Sequence, residues 1–344
     1  MTHETLIVDI DLGKNWFHVI SIDARGKPVL RKKFNRAQLA EFAATAPRCI
    51  AAMESCPGSQ YWGRRFAAGG HDVRIIPAQF VKPYVKSNKN DFNDAEAIAE
   101  AASRATMRFV PLKNSEQLEL QATHRIRQRL VGERTAAINQ MRALLLEHGL
   151  PIPKGRRLFA RQMPQVLEDA ENGLSARIRQ LLQRLRQRWL ALDVEIDEFT
   201  GLLHEVAGRS ELCQRALSVP GIGPIVSTAV VAAVGSARAF RRGRDMAAWL
   251  GLVPRQHSTG GKSMLGSISK RGNTYLRALF IQGAQALLIS IKREHSRLGE
   301  WLRGLEQRCH RNVVVVALAN KLVRICWKML ATDQQYRAYP TQAA

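Results

Sequence analysis

The chain has 344 residues, 46% of them hydrophobic and 24% charged, with 52 Lys and Arg against 29 Asp and Glu for a formal charge of +23. That length supports two or three separate cores, and the apolar fraction excludes a disordered basic tail. No apolar run approaches the roughly 18 residues of a membrane helix, and the start, Met1-Thr2-His3-Glu4, lacks a signal-peptide pattern. Cys49, Cys56, Cys213, Cys309 and Cys326 include no Cys-x-x-Cys pair. The expectation is a soluble cytoplasmic protein without disulfides or structural zinc, its cysteines acting as small buried side chains.

The charge is unevenly placed. Residues 1–100 carry 14 basic and 11 acidic side chains, a net of +3, whereas residues 101–344 carry 38 and 18, a net of +20. The larger part has the composition of a polyanion binder, and the acids of the first part need another explanation.

In chain order, Leu6–Asp11, Trp16–Ile22 and Pro28–Phe34 read as strands separated by turn chemistry at Gly13-Lys14-Asn15 and 23–26. A helix follows over Arg36–Ala46, then an apolar strand, Cys49–Met53, that ends in Glu54. A helix from Pro57-Gly58-Ser59 to Ala68 stops at Gly69-Gly70, a strand covers Asp72–Pro77, and an Ala- and Glu-rich helix covers Asp91–Ala105. This is a mixed α/β sheet domain.

The middle of the chain reads as all helix. Leu118, Ala122, Ile126, Leu130, Ile138, Met141 and Leu145 form one stripe. After a basic, Pro-bearing break from Pro151 to Pro164, a second stripe runs through Leu174, Ile178, Leu181, Leu185, Trp189, Leu192, Ile196, Phe199, Leu203 and Val206. Each stripe covers one face, so the expectation is an antiparallel pair or an intermolecular coiled coil. The last part reads as an apolar helix over Ile225–Val234, a basic loop over Arg238–Arg244, a short helix to Leu252, and three helices between Asn273 and Leu330. The domains are therefore placed at 1–112, 113–210 and 211–344.

Asp9 and Asp11 are two apart on one strand and share a face. Glu54 ends another strand, and Asp91 and Asp94 share a face at a helix start. Taken singly, such acids are as easily caps or dipole partners. Together they offer oxygen donors from three elements, the set that Mg²⁺ or Mn²⁺ prefers.

His257-Ser258-Thr259-Gly260-Gly261-Lys262 reads as a small-residue loop between helices. Its glycines admit a phosphate, Arg255 and Lys262 supply positive charge, and Ser258 or Thr259 supplies an attacking hydroxyl. Ser269, Lys270 and Arg271 add contacts suited to a DNA backbone. Pro220-Gly221-Ile222-Gly223 has the pattern of a helix-hairpin-helix, in which the amides of Gly221 and Gly223 hold a phosphate; a tight structural turn has the same pattern.

The order of the acids, on the first strand, at the end of the fourth and on a late helix, resembles the ribonuclease-H-like fold of the RuvC type. Ile10-Asp11, Met53-Glu54, Asn88-Lys89-Asn90-Asp91-Phe92-Asn93-Asp94, Val219-Pro220-Gly221-Ile222-Gly223, Leu250-Gly251-Leu252-Val253-Pro254-Arg255-Gln256-His257-Ser258 and Ile268-Ser269-Lys270-Arg271-Gly272-Asn273 together resemble the DEDD-type insertion-sequence transposases, a family of RNA-guided recombinases, over nearly the whole chain. The resemblance implies a RuvC-like domain, a long coiled-coil arm and a helical C-terminal domain with a catalytic serine. It implies Asp11, Glu54, Asp91 and Asp94 as ligands of Mg²⁺ or Mn²⁺ and a covalent phosphoserine link to DNA. It further implies a structured non-coding guide RNA that selects donor and target DNA, and dimers that become tetramers in which the acids of one subunit meet the serine of another, in a bacterial, nucleoid-associated protein. Asp9 stands where the family often has glycine and is read as a supporting carboxylate. The family serine usually directly precedes a glycine, and here Thr259 does; Ser258 is assigned the attack because a primary hydroxyl is less hindered, with Thr259 and Ser263 as fallbacks.

Two alternatives share features with this reading. A junction-resolving endonuclease would use the same acids with metal-activated water, and would leave the last 130 or so residues without a role. A non-catalytic nucleic-acid-binding protein would account for the basic region and not for the ordered acids.

Overall fold

The structure, a computed structural model, describes residues 7–23, 25, 27–84, 91–292 and 296–338, without the side chains of 91–94. The chain divides into two compact units, Met1–Asn114 and Ser115–Ala344.

The first unit contains β1 (Ile7–Leu12), β2 (Trp16–Ile22), β3 (Pro28–Asn35), α1 (Arg36–Thr45), β4 (Ile50–Glu54), α2 (Ser59–Ala68), β5 (Asp72–Ile76), α3 (Ala78–Val81) and α4 (Asp91–Ser103). One five-stranded sheet has the order β3-β2-β1-β4-β5. The meander β1-β2-β3 is antiparallel, and β4 and β5 add in parallel beyond β1. Alternation assigns the faces. Val8, Ile10, Val19, Ala51 and Met53 pack with Leu39 of α1 and Trp62 and Phe66 of α2. On the opposite face Ile7, Ala52 and Ile76 pack under Ala97, Ile98, Ala101 and Ala102 of α4. Asp9, Asp11 and Glu54 belong by register to the α4 face.

Among the described residues the second unit is helical apart from one hairpin. It contains α5 (Ser115–Glu147), α6 (Arg156–Glu168), α7 (Ala176–Arg209), α8 (Glu211–Leu217), α9 (Pro224–Val234), α10 (Gly243–Trp249), β6 (Pro254–Thr259), β7 (Lys262–Ile268), α11 (Thr274–Ser290), α12 (Arg297–Glu306) and α13 (Arg311–Ala331). α5 and α7 lie antiparallel: Arg127 bonds Thr200, Arg134 pairs with Asp193, and Leu130 packs with Leu192 and Ile196. The segment expected to break the helices contains α6, with Pro164 inside it. Phe159 and Met163 of α6 are buried against the α5–α7 pair, with Phe159 and Trp189 ring centroids 5.6 Å apart, and burial of this size offsets one lost helical hydrogen bond. The stripe on α7 also differs in phase. Leu181 is 44% exposed and Val206 38%, whereas Leu182 and Ala207 are buried. No helix among the described residues is long and apolar enough to cross a membrane.

A buried polar hub joins α5 to the helices after it. His124 Nδ1 is 3.0 Å from the Tyr275 hydroxyl and Nε2 is 3.0 Å from Thr228 Oγ1. Thr228 donates its own proton to the Pro224 carbonyl, so Nε2–H is the donor to Thr228 and Nδ1 accepts from Tyr275. A neutral imidazole satisfies every partner. Burial, then the charge of Arg127, lowers the His124 pKa from 6.5 to about 4. Between those values the unfolded chain binds the extra proton, so stability is full above pH 6.5 and falls as pH drops toward 4, by up to about 3 kcal/mol. Denaturant midpoints measured across that range should show this loss in the wild type and a smaller one in His124→Gln.

Candidate carboxylate site and serine hairpin

Asp11 lies one step beyond Ile10 at the carboxyl end of β1, and Glu54 one step beyond Met53 at the carboxyl end of β4; Ile10 and Met53 are neighbours in the parallel register. The two acids are thus on adjoining strands, on one face, at the sheet end where α/β proteins hold ligands. Cys56 reports the field they make. Burial first, then the charges of Glu54 and Asp11, raise its thiol pKa. His18 stands directly across from Asp11 in the β1–β2 register, half-buried.

Asp9 is fully buried two residues deeper, and neither carboxylate oxygen has a hydrogen-bond partner among the described residues. Burial raises its pKa well above the ordinary carboxylate range. Asp91 and Asp94 open α4, and their side chains lie outside the described residues. Among the described residues no group of three or more His, Cys, Asp or Glu is placed to hold a metal ion. The donor set nevertheless suits a hard divalent cation: two carboxylates at adjoining strand ends, with a third buried beneath them that has no hydrogen-bond partner among the described residues.

In place of the expected loop, Ser258 lies on a two-stranded hairpin. Ser258 pairs with Ser263 and Thr259 with Lys262, and the turn consists of Gly260 and Gly261 at φ of 55° and 78°. Two consecutive positive φ values define the turn that matches strand twist, and glycine adopts them without strain. Both strands are solvent-exposed except Ile268 at the foot of β7. The Ser258 hydroxyl oxygen accepts from Gln256 Nε2 at 2.8 Å, and Ser263 Oγ lies 3.3 Å from the same nitrogen. Alternation puts Gln256, Ser258 and Ser263 on one face of the ribbon and Arg255, His257, Thr259 and Lys262 on the other.

The foot of the hairpin is tightly held. Ser269 N–H donates to the Val253 carbonyl and Lys270 N–H to the Gly251 carbonyl, with Lys270 in the left-handed region at φ 55°. Arg277, buried, donates Nη1 to the carbonyls of Leu250 and Arg271 at 2.9 and 3.0 Å. At Gly272, φ 77°, a Cβ would collide with the Trp249 carbonyl oxygen. Lys270, Arg271, Arg255 and Lys262 are all exposed, whereas Ser269 is half-buried.

Gly221 and Gly223 fall between α8 and α9. Gly221, φ 80°, packs against Gly283 and Leu287 of α11, close enough that a Cβ would press on both. Gly223 caps α9 and has open space where a Cβ would point.

The chain matches two family models, one described as a transposase over residues 8–149 and one described as the IS116/IS110/IS902 transposase family over residues 213–299. It is 46% identical to a probable family 20 transposase of Pseudomonas aeruginosa over 96% of this chain and 98% of that protein. It is also 46% identical to the transposase for insertion sequence element IS1328 of Yersinia enterocolitica, covering 93% and 95% of the two chains, and 44% identical to the transposase for IS1111A of Coxiella burnetii, covering 96% and 91%. The chain belongs to the IS116/IS110/IS902 transposase family.

Transposases cleave and transfer DNA strands, so this member is an enzyme of that class, with an α/β domain consistent with an RNase H-like fold. Three residues that bear on its sites, Gln256, His18 and Arg277, had no role from the sequence, and the burial of a fourth, Asp9, was not foreseen. Gln256 was visible only as part of a motif. Its bond to Ser258 follows from the hairpin, which the glycine pair between alternating residues does signal. His18 becomes a neighbour of Asp11 only through antiparallel register. Arg277 sits in an apolar helix with no local sign of the two carbonyls it holds. For Asp9 the sequence showed an unusual carboxylate, and only the packing of α4 shows that it is sealed from water.

Proposed function

We propose that this transposase cuts and rejoins DNA through Ser258, with Asp11, Glu54, Asp91 and Asp94 holding divalent metal. The observation that carries the reading is Ser258 on an exposed hairpin, its oxygen fixed by Gln256 and its foot anchored by Arg277. Because Gln256 donates to that oxygen, the hydroxyl proton points elsewhere and is free to leave. As Ser258 Oγ forms a bond to phosphorus, the bond from phosphorus to the leaving sugar oxygen breaks. The serine proton passes to solvent and the departing strand end takes one up. Attack by another strand's hydroxyl then reverses the step, so one phosphodiester replaces another without an external energy source. Mg²⁺ or Mn²⁺ at the carboxylates would supply Lewis-acid stabilisation of charge developing on the phosphate. Thr259 and Ser263 are the alternative nucleophiles.

In this reading residues 1–112 are the RuvC-like catalytic domain, 113–210 a coiled-coil arm and 211–344 the serine-bearing domain. The arm has a second apolar stripe facing outward on α7: Leu190, Val194, Leu202 and Val206 are 38–60% exposed, as a surface that joins subunits into dimers and tetramers would be. Gly223, Arg255, Lys262, Ser269, Lys270 and Arg271 hold nucleic-acid backbone at the nucleoid. Gly221 serves chiefly to let that turn approach α11.

Sequence choice is assigned to a structured guide RNA, whose base pairing selects donor and target while the protein grips phosphates; the diffuse net charge of +20 over residues 101–344 suits that division of labour. RNA co-purified with the protein and sequenced should contain one discrete species encoded beside the gene. A pool reflecting total cellular RNA would contradict the guide assignment.

A further inference from the structure

A groove of about 1770 Å³ opens in the second unit between α10, α12, α13 and the foot of the hairpin. Small-molecule pockets hold about 300 to 1,000 Å³, so this one is sized for part of a polymer. Val313, Val316 and Ala317, on one face of α13, give it an apolar lining. Arg242, Arg244, Lys321, Arg324, Lys328 and Arg337 stand around it. Asp333 is the one acid lining it among the described residues, and Arg215 and Arg238 neutralise it at 2.5 and 2.6 Å. Lys321 lies 4.0 Å from the Trp301 ring centroid, and burial together with the Arg324 charge lowers its pKa. Two cations crowded this way gain from an anion placed between them.

Pro254, Gly266, Ser267 and Ile268, at the foot of the hairpin, form one wall. Pro254 pairs with Ile268 and Ser258 with Ser263, four residues farther along the ribbon. That distance is about 13 Å, or about four phosphate steps along one strand of a duplex.

We propose that this groove grips the backbone of the DNA strand within about four nucleotides of the phosphate presented to Ser258. The proposal takes its direction from the serine reading, and its core, that the groove is a DNA site, stands on charge and shape. A protein partner would need a matching acidic face. A DNA strand brings the required charge in every nucleotide and meets the apolar lining with its sugars and bases.

The test uses the full chain carrying Ser258→Ala, so that no cleavage intervenes, with a labelled DNA oligonucleotide and an RNA of the same sequence. Arg244 and Arg324 are exposed side chains, so reversing them should not disturb the core. Arg244→Glu with Arg324→Glu should weaken DNA binding at least about tenfold and reduce the salt slope by about 1.4. The same change in charge on α7, Arg177→Glu with Arg184→Glu, should reduce both far less, because those residues lie outside the groove. A photoreactive residue in place of Val313 should crosslink to DNA. Equal losses in both double variants, a loss confined to RNA, or a crosslink to RNA or to a second copy of the chain would each overturn the groove assignment. Failure of the serine reading would appear elsewhere, as a covalent adduct that survives Ser258→Ala.

Discussion

Asp11→Asn and Glu54→Gln should each reduce strand cleavage by at least about a thousandfold while leaving DNA affinity within about twofold. Both replacements keep the shape of the side chain and remove its charge, so a folding defect is not the expected cause of loss. Asp11 and Glu54 sit at the carboxyl ends of adjoining parallel strands, where burial and then their two charges raise the Cys56 pKa. Without one of them the site would lose an anionic oxygen donor, and its remaining oxygens would compete less well with water for a divalent cation. Affinity for DNA should hold because the change removes repulsion toward phosphate and takes nothing from the exposed cations of the second unit. Time courses of cleavage at several Mg²⁺ concentrations, beside anisotropy titrations, separate the two effects. Cleavage by either variant at the wild-type rate would remove the carboxylates from the mechanism.

Ser258→Ala should eliminate a protein–DNA adduct that the wild type forms on nicked DNA and that survives denaturing electrophoresis. Thr259→Val should retain it. The two residues are neighbours in sequence and lie on opposite faces of the ribbon, so a single strand approaching one face meets only one of them. Ser258 shares its face with Gln256 and Ser263, and Gln256 already fixes its oxygen at 2.8 Å. Gln256→Ala should therefore slow adduct formation without abolishing it. An adduct lost in Thr259→Val and kept in Ser258→Ala would move the nucleophile to the His257 face. No adduct in any form of the protein would favour water as the attacking group.

The order of strands and helices in the first unit was legible because period-2 and period-3.6 patterns differ sharply there and Gly and Pro mark most boundaries. The phase of the α7 stripe was not. Leu181 and Leu182 are equally apolar, and spacing by three or four residues does not say which of two adjacent leucines turns inward; α5 and α6 decide. The helix at 156–168 was hidden by Pro164, whose cost is outweighed by Phe159 and Met163 reaching a core that the local sequence does not reveal. Asp11 and Glu54 were legible as acids at the ends of two strands, which parallel register makes neighbours, whereas the side chains of Asp91 and Asp94 lie outside the described residues. The neighbours His18 and Asp9 depend on register and on what covers the sheet, and both are properties of pairing across the chain.

The most direct test of serine transesterification is to locate the phosphoryl link. Trypsin cuts after Arg255 and Lys262, releasing Gln256-His257-Ser258-Thr259-Gly260-Gly261-Lys262, with Ser263 on the next peptide. After nuclease trimming of the adduct, fragmentation of that peptide by mass spectrometry should place the nucleotide phosphate on Ser258. A phosphate on Thr259, on Ser263 or on no residue of the hairpin would contradict the account.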